Sequence, residues 1–85
     1  QPHDMKTMMT TMNEVLKSKS GNELEQAFLE EMIIHHEGAV EMAQTVKAGT
    51  KRPEIQKLAD GIVNAQNQEI GMMRVWLSDW FNVQK

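Results

Sequence analysis

The stretch from residue 28 to residue 43 constrains this chain most. Its apolar side chains recur at the 3.6-residue period of an α-helix, and two adjacent histidines, His35 and His36, fall inside the apolar arc. With Met32 at 0° on a wheel of about 100° per residue, His36 lies near +40°, Ala39 near −20°, His35 near −60° and Met42 near −80°. Phe28, Ala43 and Val46 share the arc. The imidazoles and thioethers therefore point at whatever packs on this helix. A buried polar group left without a partner costs about 1–3 kcal/mol, so each histidine needs one. Sulfur beside imidazole points to a soft metal ion in that role.

The rest of the composition narrows the field. Eighty-five residues make a single domain over residues 1–85. A chain this short is often helped by a metal, a disulfide or a partner chain. With no cysteine, disulfides and thiolate zinc sites are excluded. A net charge of −3 provides no electropositive footprint for nucleic acid. No apolar run approaches the ~18–20 residues of a membrane span, so no membrane insertion is expected. Gln1-Pro2-His3-Asp4 contains nothing like a signal peptide, and a mature exported chain reads the same way. Methionine stands out: there are eight, clustered at Met5, Met8, Met9 and Met12 and again at Met72 and Met73. Scattered methionines are ordinary core filler; clusters are harder to explain that way.

Three helices are expected. The first spans residues 4–17, with Asp4 as N-cap and Met5, Met8, Met9, Met12, Val15 and Leu16 as one apolar stripe. On such a stripe Met5, Met8 and Met9 can close on one Cu(I) or Ag(I) ion, with Met12 next along and His3 just before it. Packing alone is the simpler use of the same stripe, and the two are compatible. After a break at residues 17–22, Asn22 is expected to cap a helix over residues 23–48, with Glu25 three residues on. Glu30, Glu37 and Glu41 fall opposite Met32 and should be solvated. Gly38 inside this helix costs about 1 kcal/mol relative to alanine, which suggests close approach of another helix beside the histidines.

Gly49 and Pro53 bracket a turn of roughly five residues, and the third helix runs over residues 53–80. Its inward stripe is read as Ile55, Leu58, Ala59, Ile62, Ala65, Met73, Trp76, Leu77 and Trp80, with Gln66 and Glu69 set into it. A short turn makes the second and third helices an antiparallel hairpin. Counting outward from the turn places residue n near residue 101−n, so His35 and His36 come to the level of Gln66, Glu69 and Met73 within a turn.

Two readings stand at this point. In one, Met32, His35, His36, Met42, Met72 and Met73 are donors to a soft metal, and Glu69 orients a histidine. In the other, the chain is a helical protein-interaction module, its histidines hydrogen-bonded in the core and its methionines packing. A dinuclear iron or manganese centre needs several inward carboxylates and Glu-x-x-His pairs, which this chain lacks. No Ser-His-Asp arrangement, nucleophilic cysteine or phosphate-cradling loop is present, so no enzyme is expected.

The pattern Phe28-Leu29-x-x-Met32-Ile33-x-His35-His36-x-Gly38-Ala39-x-x-Met42-Ala43 resembles the signature of the domain of unknown function 305 family. The likeness continues through Pro53-Glu54-Ile55-x-x-Leu58-Ala59-x-x-Ile62, Gln66-x-x-Glu69-Ile70-x-x-Met73-x-x-Trp76-Leu77, and covers roughly residues 25–77. The resemblance implies a ferritin-like helical bundle and kinship with exported proteins that bind copper and confer copper or silver tolerance. Residue by residue it points to Met32, His35, His36, Met42, Glu69 and Met73; Met72 joins them on chemistry alone. Ile34 stands where the family usually has proline, so the helix should run unkinked before the histidines, and Glu25 replaces a usual aspartate.

The combined expectation is an all-α antiparallel helical bundle of two long helices and a shorter N-terminal one. Three helices leave one side of a four-helix bundle open, with Trp76, Trp80 and Phe81 partly bare, and a homodimer would complete it. The expected function is non-enzymatic binding of Cu(I), of copper in either oxidation state more broadly, or of silver. It would take place in the periplasm or another extracytoplasmic space after removal of a signal peptide, with a copper donor or acceptor protein as partner.

Overall fold

The computed structural model describes residues 5–83, apart from the side chain of Met5. The described residues form three helices and no strand: α1 (Met5–Lys17), α2 (Gly21–Gly49) and α3 (Pro53–Phe81). Asp4, expected to cap α1, lies outside the described residues.

The ends of α2 differ from expectation. It begins at Gly21, with Ser20 rather than Asn22 at the N-cap, in extended conformation and without a side-chain cap bond. Gly21 adopts φ +59°, a backbone state that costs glycine little, so the chain turns into the helix two residues early. At the other end Gly49 is still helical and Thr50 is the C-cap. The connection is thus only Thr50, Lys51 and Arg52. It is held by Thr50 N–H donating to the Val46 carbonyl at 2.9 Å and by Gln56 Nε2 donating to the Thr50 carbonyl at 3.1 Å. Pro53 occupies the first turn of α3, where its missing N–H is harmless. Asn82, at φ 56°, ends α3: its N–H donates to the Ser78 carbonyl, the αL form of C-cap, and the N–H of Val83 donates to the Leu77 carbonyl. That reversal packs Phe81 and Val83 onto the core.

Side chains that pair across α2 and α3 show that the two helices run in opposite directions. Lys47, near the end of α2, meets Asp60, near the start of α3; farther from the turn His36 meets Glu69 and Glu37 meets Arg74. The His36–Glu69 pair lies within the one turn that counting outward from the connection allows.

Leu29, Ile33, Ile70, Met73 and Leu77 form the core, with Met32, Val40, Trp76, Phe81 and Val83 against it. Ile70 was absent from the inward stripe read in the sequence. The stripe was traced one position too far around the helix, so Leu58, Ala65 and Trp80 were counted as inward and are exposed. On α2, Phe28, Met42 and Val46 are exposed for the same reason. Nearer the turn, Ala43 and Ala59 are buried.

The first helix packs on α2 alone among the described residues. Met12 and Leu16 are its half-buried positions, while Met8, Met9 and Val15 are exposed. The six-residue apolar stripe read in α1 is therefore used only in part. Gly38 is also exposed, and a Cβ added there would meet nothing within 4 Å. The close helix approach expected at this glycine does not occur.

Candidate metal centre

The two histidines leave α2 about 100° apart, as adjacent helical residues must, and so serve different neighbours. His36 is buried and turns toward α3, where its Nε2 lies 2.5 Å from Glu69 Oε1. Glu69, read as a core carboxylate, is half exposed, its oxygen reaching inward to the ring. His35 is half buried and turns toward α1, where its Nε2 lies 2.8 Å from Met12 Sδ. The sequence estimate had set both histidines against α3. It missed the Met12 contact because α1 has no short, countable turn relation to residue 35.

Two grooves flank these pairs. One, of about 230 Å³ between α2 and α3, is lined by Phe28, Leu29, Met32, His36, Glu69, Met72, Met73 and Trp76. The other, of about 490 Å³ between α1 and α2, is lined by Met9, Met12, Leu16, Phe28, Glu31 and Met32 among others. Met32 borders both. Met72 is half exposed at the rim of the first groove, whereas Met73 is buried in its floor. Phe28, Trp76 and Glu31 border the site without being soft donors; their helical spacing from Met32, Met73 and His35 is the signal for them in the sequence.

The candidates thus divide. Met32, His36, Glu69, Met72 and Met73 are brought together on the α3 side, and Met9, Met12 and Met32 line the groove on the α1 side, where Met12 touches His35. Met42 belongs to neither; 60% exposed, it lines a third groove near the turn with Ala39, Val46 and Leu58. It sits six residues past His36, about 9 Å along the helix, and the wheel cannot register that axial distance. Met8 is exposed and lines neither groove. His3 and the side chain of Met5 lie outside the described residues.

The donor chemistry is soft. Among the described residues no group of three or more His, Asp and Glu side chains converges as a metal site. What converges instead is thioether with imidazole. At His35, a ring nitrogen bearing hydrogen would donate to the thioether, a weak acceptor. A ring nitrogen without hydrogen would face sulfur lone pair to lone pair, an arrangement a soft cation relieves. At His36, the bond to Glu69 engages Nε2 and leaves Nδ1 as the nitrogen able to ligate.

The family model described as a domain of unknown function (DUF305) matches residues 1–81. The chain belongs to that family. The match reaches beyond the spaced motifs of α2 and α3 to take in α1 and its methionines, which the sequence motifs alone had left outside. No curated protein and no solved structure matches the chain.

Proposed function

We propose that this member of the family is a non-enzymatic carrier or buffer of a soft monovalent metal, copper(I) or silver(I), held between helices of a ferritin-like bundle. The observation that carries the reading is the approach of Met12 Sδ to His35 Nε2 from a helix that packs on α2 alone. An apolar stripe packing for burial alone has no need to set a thioether on an imidazole. Methionine on the two other sides of the histidines adds donors of the same softness. Thioether and neutral imidazole favour Cu(I) and Ag(I) over the hard cations Mg²⁺ and Ca²⁺.

In this reading two sites share Met32. The first uses His35 and Met12, with Met9 and Met32 beside them. The second uses His36, with Met32, Met72 and Met73 around it and Glu69 fixing the ring. The half-exposed Met9 and Met72 stand where an incoming or departing ion would be met, which suits transfer to or from another copper protein. Action in the periplasm or a comparable oxidising space fits a chain without cysteine.

The deciding experiment is anaerobic titration of metal-free protein with Cu(I) against a competing chelator, followed by the fluorescence of the stacked Trp76 and Trp80 and by melting. A ligand at 100 times its dissociation constant stabilises the fold by about 2.7 kcal/mol, so a true site raises the melting temperature. Saturable binding lost in Met32→Leu combined with His36→Ala supports the reading. Neither binding nor a melting shift would leave the histidines as core residues of a protein-interaction module.

A further inference from the structure

We propose that a second copy of this chain docks on the uncovered face of the α2–α3 hairpin, making a homodimer whose joined hairpins form a four-helix core. The inference is independent of metal binding.

Each long helix carries two heptad seams. One is buried in the hairpin. The other lies about one residue back and is largely open: Phe28, Met42 and Val46 on α2, and Leu58 and Met72 on α3, with the half-buried Trp76 at its end. Leu58 and Met72 are two heptads apart, the spacing by which a helix keeps one stripe toward a partner; Phe28 and Met42 are too, with His35, the residue Met12 touches, midway between them. Four of the six are more than 45% exposed. They share one face, because one α2–α3 groove joins Phe28 to Met72 and Trp76 and the next joins Met42 and Val46 to Leu58.

Among the described residues α1 covers that face only around Phe28 and His35; the stretch lined by Met42, Val46, Leu58 and Ile62 is uncovered. At 13 residues α1 is about 20 Å long against about 44 Å for α2, and it packs on α2 alone, over the half far from the turn. The molecule is a slab with extents of 45 × 34 × 16 Å. Its radius of gyration is 15.2 Å, whereas a compact 85-residue domain has one near 12 Å. This is the shape of half a bundle.

Area and charge point to a second copy as the occupant. Two helices about 44 Å long and about 9 Å apart present roughly 600–800 Å² after allowing for α1. Two such faces bury about 1,200–1,600 Å², the standard size of a stable interface. A two-fold contact sets a patch against itself, so any charge in it meets its like. On α3 between Asp60 and Arg74 the sole charged residue is Glu69, and His36 already engages it; on α2 the charge on this arc is Glu31, in the groove beside α1. A solvated helix face normally carries charge; here the exposed positions besides Glu69 are Gly61, Asn64, Ala65, Asn67, Gln68, Gly71 and Met72.

The test is sedimentation velocity of metal-free protein in chelator at tens of micromolar, beside Leu58→Glu and Met42→Lys. The expected result is a particle of twice the 9.7 kDa chain mass that becomes a monomer in both variants. Both positions are about 60% exposed, so circular dichroism should show the helices retained. If one variant unfolds, the other decides. A monomeric wild-type chain overturns the proposal. So does a dimer that survives both substitutions, or one that forms only when copper is added, since the contact would then be metal-bridged.

Discussion

His36 Nε2 and Glu69 Oε1 stand 2.5 Å apart across the α2–α3 seam, with the ring buried and the carboxylate half exposed. The asymmetry decides what each partner is worth. Removing the carboxylate leaves the buried ring nitrogen without its partner. Glu69→Ala should therefore destabilise by about 1 kcal/mol, the low end for an orphaned buried group, lowering the melting temperature by roughly 4–8 °C. Glu69→Gln retains an acceptor and should recover most of that. If the ring serves a metal, loss of its orienting partner should also weaken binding by about 10–100-fold, measured by chelator competition.

The contact between Met12 and His35 separates packing from ligation. Met12→Leu conserves volume, so a purely packing role predicts a stability change under about 1.5 kcal/mol and unchanged Cu(I) affinity. The ligand reading predicts the same small stability change in metal-free protein with affinity reduced about tenfold or more, as loss of a supporting metal contact typically does. Urea melts of metal-free protein and competition titrations, run together, distinguish the two.

Leu77 is fully buried at the centre of the core. Leu77→Ala should cost about 2–5 kcal/mol, a large part of the stability of so small a domain. Thermal unfolding followed by circular dichroism measures it, and a loss below 1 kcal/mol would mean that the core collapses around the gap.

Gly38 is a helix-interior glycine with open space around its Cβ position. Gly38→Ala should stabilise the protein by about 0.5–1 kcal/mol. Destabilisation would mean that something packs on this position in the assembled protein.

Lys47 Nζ and Asp60 Oδ1 are 2.6 Å apart, with both side chains half exposed. Exposed pairs contribute between about 0 and 1 kcal/mol, so Asp60→Asn should change stability by less than 1 kcal/mol at moderate salt.

Much of the fold was legible in the sequence because it is written in local rules. Helical period, the Gly49–Pro53 stop and start, and the short connection between them place three helices close to where they lie and make two of them a hairpin. The same rules brought His36 and Glu69 into one neighbourhood. The errors have a common origin. A wheel gives direction around an axis but no depth, and it treats an arc facing its own hairpin partner and an arc facing open space as one stripe. Phe28, Met42 and Leu58 were therefore read as inward.

By itself the sequence determined the helices, their order and the softness of the candidate donors, since period, caps and side-chain chemistry are carried by neighbouring residues. Only the tertiary structure decided that His35 serves Met12 on α1 while His36 serves Glu69 on α3, that Met42 stands apart from both, and that Gly38 faces open space. Those outcomes depend on the tilt, stagger and reach of whole helices against one another. Such quantities are sums over every contact in the seam, and no single stretch of residues encodes them.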